Sequence, residues 1–162
     1  MLSALILKLC RYTTWPDEAF SGPDESLVIG VWKDDEIYQT LEKLARSKKL
    51  TIDVQTYSAN GSSSRSRQVD LSRLEVLPKP EEIDVLLIAE SRKKDLEQIG
   101  KLYGDRPILT IGLDRDMAKK TCILSVFIEE RRVAFQASKK NSKTARLEIH
   151  SSILRNAKEV FK

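Results

Sequence analysis

Leu27-Val28-Ile29-Gly30-Val31-Trp32 and Ile83-Asp84-Val85-Leu86-Leu87-Ile88-Ala89 are two short apolar runs, each followed by a stretch with helical spacing. Pro107-Ile108-Leu109-Thr110-Ile111 is a third run of the same kind. Strands alternating with helices predict an α/β fold, a single domain over 1–162 with a mostly parallel sheet flanked by helices.

Working outward from the first run, Asp34 of the Lys33-Asp34-Asp35 triplet is placed to cap a helix buried through Ile37, Leu41, Leu44 and Ala45. Residues 50–57 read as a strand, with Ile52, Val54 and Thr56 alternating against polar neighbours. The serine-rich stretch 58–68, carrying Asn60-Gly61, Arg65 and Arg67, reads as a flexible surface loop bounded downstream by Pro78 and Pro80. Upstream, Leu2, Leu5, Ile6 and Leu9 form one stripe of a helix expected over 2–13, which Pro16 stops. That helix is apolar enough to pack on more than one partner, within the domain or in a second subunit.

After the second run, Ser91 is positioned to cap a helix over 91–103 that turns Leu96, Ile99 and Tyr103 inward and ends at Gly104. Residues 112–119 suggest a short turn or helix. Residues 122–128 and 133–137 read as a C-terminal antiparallel hairpin, and 138–144 as a short helix. A last helix is expected from Ser151, with Ile153, Leu154, Ala157, Val160 and Phe161 on one side.

The chain has 162 residues, 41% hydrophobic and 32% charged, enough for a core without disulfides or metal. Its 28 basic and 24 acidic residues are interspersed, which predicts solubility, not a nucleic-acid footprint. Cys10 and Cys122 are far apart in sequence; a bridge, an intermolecular link or two buried thiols all fit, and buried thiols are the expected state. No apolar run reaches the roughly 18–20 residues that cross a bilayer, so no direct membrane insertion is expected. The apolar start at 1–9 lacks a basic leader and a small-residue cleavage site, and is read as part of the mature fold.

No catalytic, metal or cofactor constellation emerges. Asp34-Asp35 invites comparison with receiver domains, but the run at 83–89 ends in Ala89-Glu90-Ser91 with no phosphoacceptor aspartate. His150, the one histidine, has no nucleophile elbow and reads as a helix-edge residue making an ordinary hydrogen bond. One histidine and two distant cysteines give no metal-ligand spacing, and isolated glycines give no phosphate cradle. The basic pairs Arg65/Arg67 and Lys139/Lys140 with Lys143 read as solvated surface. Tyr12, Trp15-Pro16 and Phe20 form an aromatic cluster, read first as a structural anchor and second as a partner contact.

Leu7-Lys8-Leu9-Cys10-Arg11-Tyr12-Thr13-Thr14-Trp15-Pro16 resembles the opening of the YfiR family, a helix ending in an aromatic residue and then Trp-Pro. The likeness continues in order through Leu27-Val28-Ile29-Gly30-Val31 with its acidic pair, and then 83–91. It extends through Ile108-Leu109-Thr110-Ile111-Gly112, Arg132-Val133-Ala134-Phe135 and Ile149-His150-Ser151-Ser152-Ile153-Leu154. The resemblance implies a periplasmic, non-catalytic signalling regulator, exported by a leader that this sequence is expected to lack. Such a protein binds the periplasmic sensor region of an inner-membrane diguanylate cyclase, lowering cyclic di-GMP and biofilm formation. A homodimer is expected, with no cofactor. Departures from the family pattern are Ala118-Lys119-Lys120-Thr121 in place of a glycine-rich approach, Ser138 in place of asparagine, and two cysteines where some relatives form two disulfides.

The interface is expected on Tyr12, Trp15 and Phe20 and on the last helix, through Leu154 and Phe161. A second reading makes the chain a small-ligand sensor with a pocket at the carboxyl ends of the parallel strands, lined by Lys33, Asp34, Ser91 and Gly112. A third, an enzyme of unrecognised type, would require a strongly perturbed titratable group in that cleft.

Overall fold

The structure, a computed structural model, describes residues 2–47 and 50–162. Met1, at the head of the apolar opening run, lies outside the described residues. In chain order the elements are α1 (Leu2–Arg11), β1 (Thr13–Pro16), β2 (Leu27–Trp32), α2 (Asp35–Ser47), β3 (Thr51–Ser58), β4 (Gly61–Leu74) and β5 (Val85–Ile88). There follow α3 (Leu96–Tyr103), β6 (Leu109–Gly112), α4 (Met117–Lys120), β7 (Leu124–Glu129), β8 (Arg132–Ser138) and α5 (Lys139–Thr144). The chain closes with β9 (Glu148–Ile149), α6 (Ser151–Leu154) and β10 (Glu159–Phe161).

The strands join in one sheet of order β10-β8-β7-β6-β5-β2-β4-β3-β1-β9. β7, β6, β5, β2 and β4 run parallel, as the alternation of strands and helices predicts. β8 turns back on β7 and β3 on β4, giving one antiparallel hairpin on each side of that block. Side chains of β5 alternate between the two faces. Val85 and Leu87 join the core beneath α1 and α2, with Ile6, Leu9, Trp15 and Leu41. Leu86 and Ile88 join a second core with Leu96, Ile99 and Tyr103 of α3. Both faces are therefore dry, which is why the strand reads as an unbroken apolar run. Cys10 belongs to the first core and Cys122 to the second, both free and fully buried, so they sit on different faces of the sheet. Burial pushes the Cys10 thiol up to about 12 and raises that of Cys122 as well.

Several expectations are corrected. Residues 58–68 are not a loop: Gly61 onward is a strand paired with β3, from Ser58↔Gly61 to Thr51↔Gln68. The hydroxyls that mimic loop composition bond across the ladder, Thr56 to Ser63 at 3.0 Å and Gln55 Nε2 to Ser64 Oγ at 3.1 Å. The apolar alternation that fixes the register lies in β3 alone. Second, α1 stops at Arg11, where the Thr13 hydroxyl donates to the Leu9 carbonyl at 2.8 Å, and 13–16 becomes strand β1 instead of a helix end. Pro16 closes that strand, where its missing N–H breaks no further ladder bond. Third, the last helix is the single turn α6; Lys158 N donates to Phe135 O at 2.8 Å and the chain continues as β10 beside β8. The helix over 91–103 likewise begins with a 3₁₀ segment, Glu90–Asp95, before α3.

Arg67 is one of the two basic residues read as solvated, yet only 6% of it is exposed. Its Nη1 donates to Gly22 O at 2.9 Å and Glu25 O at 2.7 Å, and the guanidinium lies 4.0 Å over the Phe20 ring. Phe20 in turn meets Trp15 edge to face at 6.2 Å. One buried cation thus fastens the 17–26 segment to the sheet. An ammonium cannot both stack on the ring and fork to two carbonyls. Arg67→Lys is expected to lower stability by about 1–3 kcal/mol in urea unfolding, a loss of charged hydrogen bonds.

Asp84 fastens the other side. Val28 N donates to Asp84 Oδ2 at 2.9 Å and Asp84 N to Val28 O at 2.9 Å, setting β5 against β2 just before their ladder. Burial pushes its carboxyl up to about 7, against the counter-pull of the Val28 amide. Between about pH 4 and 7 the folded chain holds a proton that the unfolded chain has released, so this contribution falls as pH rises through that window. Asp84→Asn keeps an acceptor for Val28 and removes the titration. The wild-type unfolding free energy is expected to decline relative to Asp84→Asn between pH 5 and pH 8, by about 2–3 kcal/mol; parallel profiles would refute this account.

Candidate functional site

The carboxyl ends of β2, β5 and β6 are occupied by groups paired with one another. Lys33, in the left-handed region at φ 64°, reaches Glu75 at 3.0 Å. Asp34 Oδ1 accepts the Ile37 amide at 3.0 Å and so caps α2, as its position after the strand predicts. Asp35 pairs with Arg73 at 2.7 Å. Arg92 lies 4.9 Å over the Trp32 ring and pairs with Asp95, and Lys93 pairs with Asp114. Ser91 is exposed in the 3₁₀ segment. A Cβ on Gly112 would lie 2.4 Å from that of Met117, so its glycine is required by packing. The nearby cavity lined by Lys93, Leu96, Arg115, Asp116, Met117 and Lys120 is about 90 Å³ and includes none of Lys33, Asp34, Ser91 and Gly112. Small-molecule sites span roughly 300–1,000 Å³.

A larger concavity, about 590 Å³, opens where the chain leaves β8, passes through α5 and returns as β9 on the far side of the sheet. One wall carries Ala137, Ser138, Lys139, Ser142 and Lys143; the other carries Thr14, Glu148, Ile149, His150 and Leu154. α5 is started by Ser138, whose Oγ accepts the Asn141 amide at 3.0 Å and so caps the helix. Lys139 and Lys143, one turn apart, stand at the rim. His150 is held on both sides. Its N–H donates to Tyr12 O at 2.9 Å, and Nδ1 accepts the Ser152 amide at 3.1 Å, capping α6. The Tyr12 and His150 rings meet edge to face at 6.0 Å.

Five residues are expected at an interface on sequence grounds, and the structure sorts them. Tyr12 is 36% exposed and lies beside the cleft through His150; Leu154 is half-buried and lines it. Phe161, half-buried in β10, is in register with Ser138 on the cleft wall. Trp15 has no exposed surface and Phe20 almost none, so they are core anchors behind Tyr12. Leu147, Ile149 and the paired lysines of α5 carry no sequence signal beyond an amphipathic turn and a basic i, i+4 pair.

The arrangement defines an α/β domain with one broad cleft on a face of mixed polarity. The chain belongs to the YfiR/HmsC-like family, which it matches over residues 1–158. Nothing among curated proteins matches it. No helix of the described residues is long and apolar enough to cross a membrane.

Because Met117 already fills the space at Gly112, Gly112→Ala is expected to lower stability by about 1–3 kcal/mol, an overpacking cost. Thermal unfolding of the purified variant measures it, and an unchanged midpoint would show that α4 shifts freely away from β6.

Proposed function

We infer that this chain is a non-catalytic periplasmic regulator that restrains an inner-membrane diguanylate cyclase by binding its periplasmic sensor region, lowering cyclic di-GMP and biofilm formation. Membership of the YfiR/HmsC-like family over residues 1–158 carries this reading. The structure supports it with a face suited to protein contact. Tyr12 stands on that face beside His150, with Leu154 next to the cleft and Phe161 at the nearby sheet edge. Amphipathic aromatic residues flanked by aliphatic ones are the usual anchors of such contacts. The same face serves a homodimer, with the cyclase sensor region and a second copy competing for or sharing it. The volume of the cleft favours a second reading, in which a small ligand held beside His150 tunes the contact.

Tyr12→Ala and Leu154→Ala are each expected to weaken capture of the cyclase sensor region at least tenfold, about 1.4 kcal/mol, with both variants still unfolding cooperatively. In cells carrying the cyclase, either variant should raise cyclic di-GMP as deletion of the gene does. Wild-type affinity in both variants, or unchanged cyclic di-GMP on deletion, would refute the reading.

A further inference from the structure

α4 and α5 lie side by side, fastened by Asn141, whose Nδ2 donates to Ala118 O at 3.3 Å and to Cys122 O at 3.0 Å. Their inner faces are anchored: Met117, Ala118 and Ser142 are buried, as is Ala145 just past α5. What remains outside has one chemistry. Lys119 and Lys120 on α4 and Lys139, Lys140 and Lys143 on α5 are exposed, and Thr144 is the one other exposed residue of the two helices. Neither helix carries an acidic residue.

None of the five lysines has an ion-pair partner among the described residues, although Lys93 and Arg115, which share a cavity with Lys120, are each paired with a carboxylate. The acidic groups nearest the patch do not neutralise it. Asp116, before α4, accepts from the buried Gln136 amide at 2.9 Å, and Glu148 stands on the far wall of the broad cleft. The chain has 28 basic and 24 acidic residues, so these five alone account for its excess of positive charge. Clustered ammonium groups repel one another, and the free energy they hold is released only by an anion outside the chain.

The residue types narrow that anion. The patch has no arginine to fork onto a particular carboxylate or phosphate, and no exposed aromatic ring on which a base could stack. A fluid layer of lipid headgroups asks for neither, only for several mobile point charges at one level. We propose that α4 and α5 dock this domain on the anionic headgroup surface of a membrane. The two helices expose no apolar side chain, so the chain adsorbs by charge and does not insert. Lys139 and Lys143 belong both to this patch and to the rim of the broad cleft, so docking holds the cleft at the membrane surface. The proposal goes beyond the regulatory reading and is tested without a cyclase present.

The test is co-sedimentation of the full chain with vesicles of phosphatidylglycerol and phosphatidylcholine in equal parts, with vesicles of phosphatidylcholine alone as the neutral control. Each lysine near an anionic surface strengthens attachment roughly fivefold. Binding is expected to the mixed vesicles only, and is expected to be lost at about 1 M salt, where charge is screened within about 3 Å. The triple variant Lys119→Ser, Lys120→Ser, Lys140→Ser spares the lining of the cleft. It should bind at least tenfold more weakly than Lys43→Ser, Arg65→Ser, Lys79→Ser, which removes the same charge from exposed positions elsewhere. The lipid and salt dependence of the wild type keeps the test sound if a variant is poorly folded. The proposal is overturned if the wild type does not bind the mixed vesicles, if it binds phosphatidylcholine equally, or if the two variants bind alike. Binding of poly-glutamate with no binding to either vesicle assigns the patch to an acidic protein and overturns it as well.

Discussion

Gln68 and Val69 mark the point at which β4 changes partners, and the sheet exists as one body because of that handover. Over 61–68 the strand is laddered to β3; over 69–74 it is laddered to β2, from Leu27↔Val69 to Trp32↔Leu74. Without it there would be a parallel block on one side and a group of β3, β1 and β9 on the other. Arg67 sits beside the handover and cannot slip by one residue, because a slip would turn its guanidinium out of the core and a serine in. α1 reinforces the joint by packing against both β3 and β7.

This joint explains where the two concavities lie. The parallel block has dry faces and, at its carboxyl ends, charged groups neutralised in pairs, so the crevice that parallel sheets commonly offer to ligands is closed here by Lys33–Glu75, Arg92–Asp95 and Lys93–Asp114. The broad cleft lies instead outside the block, where α5 carries the chain from β8 to β9. A second concavity, about 270 Å³, lies at the amino ends, between the Arg67-fastened segment and residues 80–84 and 106–108. Side chains that fill one end leave room at the other.

What could be read from the residues follows from where the information resides. β2, β5 and β6 are apolar on both faces, and no other placement buries them, so the parallel block is legible in the sequence. The hairpin of β7 and β8 is legible as two short apolar-rich runs separated by the polar turn at 129–132. β4 is not, since its serines carry no alternation and its pairing is imposed by Ile52, Val54 and Thr56 opposite. The apolar spacing of 153–161 suits a helix, yet α6 ends after one turn because Lys158 and Glu159 are claimed by β8; Glu159 also accepts from the buried Gln136 amide at 3.3 Å. Tyr12 and Leu154 were identifiable as candidate surface anchors, but the partition that leaves Tyr12 outside and Trp15 inside depends on β1 joining the sheet.

The Glu18–Arg146 ion pair lies on the surface between the cleft and the concavity of about 270 Å³ at the amino ends of β2, β5 and β6. Glu18 lines that concavity and bonds Arg146, whose carbonyl accepts the Tyr57 hydroxyl at 2.8 Å, and the next residue, Leu147, lines the cleft. Both partners of that ion pair are largely exposed, 47% and 68% by side chain, and such pairs contribute about 0–1 kcal/mol. So weak a pair cannot transmit much. Any stronger dependence between the two places has to pass through the core, from Asp84 and Arg67 by way of Phe20 and Trp15 to β1, whose other edge carries β9. In that chain of contacts Asp84, Arg67, Phe20 and Trp15 are buried, and a packed interior transmits displacement far better than a solvated ion pair does.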